Sequence, residues 1–479
     1  MDTLPVELLS KIMVDIVYNG DEAGYPAHSW GLQAEDVDNF KDFAEYWLPV
    51  HRTKPQAFGP LQLGLVCRQW KHVSEQTAAL WNRLAVNLDD VMDSAVAVSK
   101  LTDDLSVRLV LSRQAPLHIL IVLDSWDRLA SGLFTQIFHN VLLSSHRWNS
   151  LQMRLPSEHW SILLHGGKAP LSQLKHLSLT NLSLIPTVPK EPLSWQALTH
   201  LALEGVDTRD MHMDMTTVTH LRLVDSNLHF PWAGIIHAKR LHHLILDNCG
   251  VDTSSSSSSA PDAIVSSSVR HFTYHAPFPA PRVNLLAVLS FPALEEFVLT
   301  EDTTSDDSSA GPLAFLSACG RSLRRFVLRE DPYNTQPRAC AGIVGLLAHL
   351  PSAEYLELEF QYVGLSYFDT LFERLASTNE PDGAEFLPNL RALQFNSLHG
   401  ISWPLLPSIF GPLASTDSES TPTRGHRPLH HLTVKNMSAL DSDRLTVDVI
   451  DELLALCDRG VEICLFNKEN RRIYLEDLG

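Results

Sequence analysis

The stretches LTHLAL (198–203), VTHLRL (218–223) and LHHLIL (241–246) share one arrangement of residues, apolar-x-x-apolar-x-apolar. The same arrangement, read loosely, occurs eight more times between residues 148 and 434. The middle apolar residues of the series are Leu151, Leu177, Leu201, Leu221, Leu244, Phe272, Phe297, Phe326, Leu356, Leu393 and Leu432. Alternating apolar residues in so short a segment predict a β-strand with one buried face.

The spacing of these motifs predicts the architecture. Successive middle residues are 26, 24, 20, 23, 28, 25, 29, 30, 37 and 39 positions apart. The early steps match the period of about 20–29 residues that leucine-rich repeats show, and the later steps need inserted helices or loops. Cys249 also occupies a position where such repeats often carry Asn or Cys. We therefore predict an α/β fold in which residues 148–440 form an irregular leucine-rich-repeat solenoid with one continuous leucine core.

Three serine-rich stretches interrupt the array, at 251–268, 301–312 and 414–428. They contain too few apolar residues to offset the entropy of ordering, so they are predicted to be mobile surface loops. Their serines are either phosphorylation sites or part of neutral low-complexity insertions. Residues 441–479 read as a helix, a glycine stop and a strand that cap the array.

A histidine stands directly before the middle apolar residue in six of the motifs. Because this position points away from the core, the side chains are expected to line up on the concave strands, about 4.8 Å apart. Stacked imidazoles are consistent with a pH-responsive or metal-binding ladder, with a partner-binding surface, or with a tolerated surface residue in a duplicated repeat. The concave-face candidates are His176, His200, His220, His243, His271 and His431.

Composition narrows the possible functions. The 479-residue chain has a formal net charge of −19 and shows no basic stripe, which argues against binding nucleic acid or an anionic membrane. Its six cysteines form no Cys-x-x-Cys pair, and the N-terminus has no signal-peptide pattern, so an intracellular location, cytoplasmic or nuclear, is expected.

No nucleotide-binding or zinc-protease motif occurs in the sequence. LHGGK (164–168) lacks the Gly-x-Ser-x-Gly partner that an esterase needs. No catalytic residue, cofactor or metal is predicted.

The N-terminal region, residues 1–90, is predicted to be helical. Thr3 and Pro5 can begin a helix in which Leu8/Leu9, Ile12/Met13 and Ile16/Val17 recur at helical spacing. In 63–81 (LGLVCRQWKHVSEQTAALW), Leu63, Val66, Trp70 and Val73 follow steps of three or four. An insert at 18–60 separates the two segments, and its stretch 35–48 (EDVDNFKDFAEYWL) predicts a further helix. Residues 91–147 read as helix, strand and helix leading into the repeats.

These N-terminal segments resemble the F-box, a short helical module. LPVELLSKI (4–12) matches its first half, and PLQLGLVCRQWKHVSEQTAALWNRL (60–84) matches its Val-Cys-Arg-x-Trp and Leu-Trp elements. The whole chain is similar to F-box proteins of mushroom-forming fungi, with APLHILIVL (115–123), the repeats and DRGVEICLF (458–466) in corresponding order. The insert at 18–60 departs from the family pattern.

The resemblance implies a role in an SCF ubiquitin ligase. In that family the F-box binds the Skp adaptor, and through it a cullin, while the variable domain holds a protein substrate. The F-box protein itself is not an enzyme. The residues that the resemblance assigns to adaptor binding are Leu4, Pro5, Leu8, Ile12, Val66, Cys67 and Trp70. The competing hypotheses are internal packing of these residues in an interaction scaffold with a degenerate F-box, and an enzyme whose site lies in 91–146.

Overall fold

The computed structural model describes most of the regular structure of the chain. The described residues are 5–18, 60–91, 94–123, 134–156, 159–165, 171–182, 195–206, 214–229, 238–252, 264–276, 285–301, 310–330, 340–360, 367–377, 386–397, 401–410, 428–437, 445–469 and 471–475. They fall into two compact units, Met1–Val218 and Thr219–Gly479. Among them, no helix has both the length and the apolar character that crossing a membrane requires.

The first unit begins with three helices, α1 (Val6–Tyr18), α2 (Pro60–Val66) and α3 (Arg68–Gln76), followed by a 3-10 turn at Ala78–Trp81. Their shared core consists of Leu9, Met13, Leu63, Val73, Leu80 and Trp81. Two hydrogen bonds support the packing, between Ser10 Oγ and Thr77 Oγ1 (3.0 Å) and from Trp81 Nε1 to the Ser74 carbonyl oxygen (2.7 Å). The helical prediction for this region therefore holds for the segments on either side of the insert.

The segment 63–81 is not one continuous helix. Cys67 is extended (φ −163°, ψ 171°) and caps α3, because its Sγ accepts the Trp70 backbone N–H at 3.5 Å. Val66, the last residue of α2, is exposed, whereas Leu63 and Val73 are buried. The single apolar face expected from the spacing of Leu63, Val66, Trp70 and Val73 is thus wrong at Val66. Thr3 and the helix predicted at 35–48 lie outside the described residues.

The rest of the first unit is a parallel sheet with flanking helices. Its strands pair in chain order: β1 (Arg83–Asn87), β2 (Leu117–Val122), β3 (Trp148–Leu155), β4 (His176–Asn181) and β5 (His200–Glu204). The helices are α4 (Ala95–Leu111), α5 (Thr135–Leu142) and α6 (Trp160–His165). The helix–strand–helix reading of 91–147 is confirmed, but β1 lies inside the region 1–90 that was predicted to be helical.

The second unit continues the same pattern of strands. Its main sheet, in order, is β6 (His220–Val224), β8 (His243–Asp247), β11 (His271–His275), β13 (Glu296–Glu301), β14 (Arg325–Glu330), β15 (Tyr355–Phe360), β16 (Ala392–Ser397), β17 (His431–Met437), β18 (Glu462–Asn467) and β19 (Arg472–Ile473). All these pairs are parallel except the last, β18 with β19. Short parallel pairs join β7 (Asn227–His229) to β9 (Gly250–Asp252) and β10 (Ile264–Val265) to β12 (Leu289–Ser290).

Helices appear between strands where the spacing of the motifs lengthens. They are α7 (Ala310–Cys319), α8 (Cys340–Leu347), α9 (Asp369–Ala376) and, before β18, α10 (Val447–Asp458). Short 3-10 turns at Trp403–Leu405 and Pro407–Phe410 precede β17. The inserted helices expected from the long later steps are therefore present. The helix and strand predicted within 441–479 are also present.

Two of the serine-rich stretches are shorter as loops than the sequence suggests. Val251 and Asp252 belong to β9, Ile264 and Val265 belong to β10, and α7 begins at Ala310. Backbone pairing accounts for the first stretch, because β9 pairs with β7, β10 pairs with β12, and Ile264 is buried. Residues 253–263, 302–309 and 414–427 lie outside the described residues.

The predicted leucine core is confirmed residue by residue. All eleven middle apolar residues, from Leu151 to Leu432, are in strands and at most 1% exposed. Within each unit the strand register places them directly opposite one another. Cys249 is also buried, and its thiol contacts the Leu223 and Asp247 carbonyl oxygens at 3.4 Å. Burial raises the pKa of this thiol to about 12, which is consistent with a structural role.

In strands β11, β13 and β14 the middle core position holds a phenylalanine instead of a leucine. The Phe297 ring stacks on Phe272 at 5.3 Å between centroids and lies 4.9 Å from Phe315 of α7. Aromatic contacts of this kind add to the free energy of burial. Strands β11 and β13 are therefore held from their core side by each other's rings and by α7.

We predict that Phe297→Ala lowers the free energy of unfolding of the second unit by about 3–5 kcal/mol, because it leaves a cavity among three rings. Urea denaturation followed by circular dichroism measures the change. Val265→Ala, at an exposed position of β10, is the matched control and is expected to cost about 0.5 kcal/mol or less. Equal effects of the two substitutions would contradict this account of the core.

Candidate functional site

Two surfaces account for the predicted site residues. The first is the sheet face opposite the leucine core, called here the histidine face and defined by the residues that precede and follow each middle apolar residue. The second is the exposed side of α1 and α2. Each surface is built by an alternation of neighbouring residues between inside and outside, in strands in one case and in helices in the other.

The histidine face of the first unit brings two predicted histidines together. His176 pairs in register with His200, and their ring centroids are 4.5 Å apart at an interplanar angle of 45°. Thr199 Oγ1 donates to the Lys175 carbonyl oxygen at 3.1 Å and lies 2.9 Å from His200 Nδ1. Since the hydroxyl hydrogen is used on Lys175, Thr199 accepts from His200 Nδ1–H.

His118 is a further member of this row, although it lies outside the eleven repeated motifs. It lies on β2, in register with Ser150 of β3, which in turn pairs with His176. Burial lowers the pKa of His118 to about 4, and the charges of Arg83 and His176 act in the same direction. The signal was present in the sequence, since His118 directly precedes the buried Ile119. Pro116 occupies the first apolar position of that motif and hides the period.

The second unit contains a stack of three imidazoles. His220, His243 and His271 occupy one register position on β6, β8 and β11. Ring centroids are 4.4 Å apart for His220 and His243 and 4.2 Å apart for His243 and His271, with interplanar angles of 8° and 2°. The alignment expected from the sequence is therefore present in each unit.

The stack geometry is unfavourable for a metal ion. Parallel rings keep their nitrogen lone pairs in separate parallel planes, whereas chelation needs lone pairs that converge on one point about 2.0–2.1 Å away. Within the part of the chain that the structure describes, no group of three or more His, Cys, Asp or Glu side chains is arranged to hold a metal ion. The stack is therefore better suited to binding protons than to binding a metal ion.

His431 has the same place in the repeat but different neighbours. It pairs in register with Ala392 and Glu462, so no imidazole stacks on it across these pairs. Its Nδ1 lies 3.1 Å from Glu462 Oε2, and its Nε2 lies 2.8 Å from Thr433 Oγ1. The hydrogen bond from His431 lowers the pKa of the Glu462 carboxyl. His431 is thus separated from the stacked histidines in structure as well as in sequence.

A network of charged residues continues the row beyond His271. His271 Nδ1 contacts Glu296 Oε2 at 3.0 Å, and Glu296 Oε1 contacts an Arg325 guanidinium nitrogen at 3.3 Å. Arg325 also reaches Glu357 Oε2 at 3.6 Å and lies over the Tyr355 ring. Glu357 is 1% exposed, and its other oxygen accepts from Gln394 Nε2 at 2.8 Å. Five adjacent strands therefore share one polar network.

The far ends of the same strands carry a second set of polar pairs. Asp247 Oδ1 lies 3.2 Å from His275 Nδ1, and Arg329 Nε lies 3.1 Å from Glu359 Oε2. Burial raises the pKa of Glu359, although Arg329 opposes the shift. For Asp247, burial also favours the protonated form, but the hydrogen bond from His275 and the charges of His275 and Arg222 lower its pKa overall. No local motif in the sequence marks these residues.

The second surface contains most of the residues assigned to adaptor binding. Pro5 and Cys67 are exposed, and Leu8, Ile12 and Val66 are 48%, 41% and 58% exposed. Pro5, Leu8 and Ile12 follow steps of three and four, so they form one stripe on α1. Trp70 differs, because it packs partly against the core cluster of the helices. Leu4 lies outside the described residues.

The structure adds apolar residues to this surface that the sequence did not single out. Val6 on α1 and Leu61 and Leu65 on α2 are exposed, while Leu9 and Leu63 beside them are buried. Leu61 and Leu65 are four positions apart and therefore share one side of α2. Exposed apolar side chains concentrated on two short helices are typical of a protein-interaction site.

Comparisons with known proteins leave the family of the chain open. No family model matches the sequence, and no curated protein matches it. Among solved structures, a leucine-rich-repeat protein of Leptospira interrogans matches with 12% identity over 74% of this chain and 97% of that chain, at a TM-score of 0.27. A TM-score of this size supports no argument, so the fold class, mixed α/β with parallel strands paired in chain order, rests on the strand register itself.

We predict that Arg325→Met lowers the free energy of unfolding of the second unit by about 3 kcal/mol or more, because it leaves the buried Glu357 carboxylate without its cation. Urea denaturation again provides the measurement. Arg324→Met is the matched control, since the adjacent Arg324 is 71% exposed and its Nε lies 4.0 Å from Glu354. The control is expected to cost about 0–1 kcal/mol. A loss at Arg324 as large as at Arg325 would contradict the network described above.

Proposed function

We propose that this chain is a substrate-recruiting F-box subunit of an SCF-type ubiquitin ligase, similar to those of mushroom-forming fungi. In this proposal α1 and α2 bind a Skp adaptor, and through it a cullin, and the repeats bind a protein substrate. The chain makes and breaks no bond itself. It acts within the cell, in the cytoplasm or nucleus, by raising the concentration of substrate lysines near the conjugating enzyme.

The observation that carries the proposal is that α1 exposes one pair of apolar residues and buries the neighbouring pair. Leu8 and Ile12, which the F-box resemblance assigns to the adaptor, are half exposed, while Leu9 and Met13 beside them fill the core. A helix that needed only to pack internally would gain by burying both pairs or by carrying polar residues outside. Val66 fits the same pattern, since it is exposed at the end of α2 while Leu63 of the same helix is buried. An apolar helical surface of this kind supplies a desolvated interface centre.

The histidine face supports the substrate half of the proposal. Polar side chains from adjacent parallel strands line up on it, at a strand spacing of about 4.8 Å, and present both hydrogen-bond donors and acceptors. Repeat proteins use extended surfaces of this kind to bind partners. The candidates for substrate contact remain His176, His200, His220, His243, His271 and His431.

One observation favours the alternative, an interaction scaffold with a degenerate F-box. Trp70, which the resemblance assigns to the adaptor, is partly buried against Leu9, Leu63 and their neighbours. A tryptophan used for internal packing contributes less to an interface. The insert at 18–60 also separates the two halves of the module. In this alternative the repeats still bind a partner, but no ubiquitin ligase forms.

We predict that Leu8→Asp reduces capture of a recombinant Skp adaptor by the full-length chain by at least about tenfold, because it places a charge in the apolar interface. A pull-down with purified proteins, followed by titration, measures the loss. Val110→Asp is the control, because Val110 is an apolar residue of α4 that is 73% exposed and belongs to neither α1 nor α2. It is expected to leave capture unchanged.

Trp70→Ala separates the proposal from its alternative. In the F-box reading it weakens adaptor capture as well as the helical core, whereas Trp70 acts only within the core in the scaffold reading. Circular dichroism of each variant establishes that the helices remain folded. Absence of adaptor binding by the wild-type chain, or equal binding by Leu8→Asp and the wild type, would rule out the adaptor role.

A further inference from the structure

Strands β8 and β11 are joined on the histidine face by two side-chain contacts of opposite electrostatic character. At their N-terminal ends, His243 stacks on His271 with ring centroids 4.2 Å apart. Four residues further along, Asp247 contacts His275 at 3.2 Å. Adding a proton to each imidazole introduces repulsion at the first contact and attraction at the second. The two ends of one strand pair therefore respond to acid in opposite directions.

The position of His243 makes the stack sensitive to protonation. It is the central ring, with His220 on one side at 4.4 Å and His271 on the other. A charge on the central ring would lie within stacking distance of both neighbours and would be partly removed from water. We propose that the stack of His220, His243 and His271 is a proton-sensitive element, which loosens β6 and β8 when the surroundings become acidic.

The charged groups around the stack do not cancel this effect. Glu296 contacts His271, but it also contacts Arg325, so its charge is already shared. Arg222 and the Asp247–His275 pair lie further along the same strands. His242 precedes His243, and the neighbouring Arg270 is paired with Glu295 at 2.8 Å. Of these groups, Glu296 favours a positive charge on His243, and its direct contact is with His271.

The titration of His243 is consistent with this geometry. Burial lowers the pKa of His243 to about 4, with His271 and His242 acting in the same direction and Glu296 against them. In the unfolded chain the same group has a pKa near 6.5. Between these values the unfolded state binds the proton and the folded state does not, so the free energy of unfolding falls as the pH falls. The effect is absent above the upper value and complete below the lower one.

The response is expected to be local, because β11 is held more firmly than β8. On its core side β11 carries Phe272, whose ring contacts Phe291, Phe297 and Phe315 at 5.2, 5.3 and 5.5 Å. The core residues at the matching position of β6 and β8 are Leu221 and Leu244.

The contact between Asp247 and His275 responds in a different range of pH. The pKa of Asp247 is lowered, so its contribution is lost only as the pH falls below the value of about 3.9 for an unfolded aspartate. Mild acid therefore weakens the stack while the Asp247 carboxylate stays charged.

Hydrogen exchange of the full-length chain, corrected for the intrinsic effect of pH on exchange, tests the proposal. Between about pH 7 and pH 5, protection of the amides in 220–224 and 243–247 is expected to fall by about tenfold. Amides in 355–360, which lie in the same unit, are expected to change little. His243→Gln should remove most of this pH dependence, because the substituted side chain does not titrate.

His431→Gln is the matched control, since His431 has the same register position and face but is flanked by Ala392 and Glu462. It is expected to leave the pH dependence of 243–247 as in the wild type. If His243→Gln prevents folding, the ring signals of histidine-labelled wild-type protein provide a second measurement, in which His243 stays neutral at about pH 5. Titration of His243 near its ordinary pKa, or equal protection of 243–247 at both pH values, would overturn the proposal. This inference concerns the second unit alone and is independent of adaptor binding.

Discussion

The in-register pairing of parallel strands is the constraint on which the rest of the structure depends. In each unit a buried leucine or phenylalanine of one strand lies directly opposite the equivalent residue of the next. Because side chains alternate along a strand, fixing the buried residue also fixes which residues face the other way. The stacked histidines and the network around Arg325 are therefore consequences of the core, and a shift of one residue in any strand would exchange the two faces.

Much of this arrangement could be read from the sequence, for a physical reason. The core residues recur in one short apolar-x-x-apolar-x-apolar pattern, and their hydrophobicity is a local property that needs no knowledge of neighbours. The eleven middle residues and the histidines beside them were found in this way. The strand at Arg83–Asn87 was missed, because it follows directly on the Leu-Trp turn and carries only Leu84 and Val86 as buried residues. Pro116 hid the motif that contains His118.

The charged network could not be predicted, because it depends on residues far apart in the chain. Glu296, Arg325 and Glu357 follow one another at intervals of 29 and 32 positions, and each looks like an ordinary polar residue of a half-exposed strand. Their contacts follow only when the register is known. The exposure of Leu8 beside the burial of Leu9 presents a similar difficulty, since helical spacing allows either leucine to face the core. Whether α1 contacts an adaptor depends on a partner, and the chain alone does not contain that information.

The polar network also bears on how repeats can be gained or lost. In β6, β8 and β11 a histidine stacks on a histidine, so each repeat meets neighbours like itself. One such repeat could be duplicated or deleted with little change to the contacts of the others. From β13 to β16 the neighbours are unlike, and the charge of each strand is balanced by a different residue on the next. Removing one repeat there would bring like charges together or leave a buried carboxylate alone. Within one sheet, evolution can thus change the number of repeats freely in the first region, while the second must be inherited as a block.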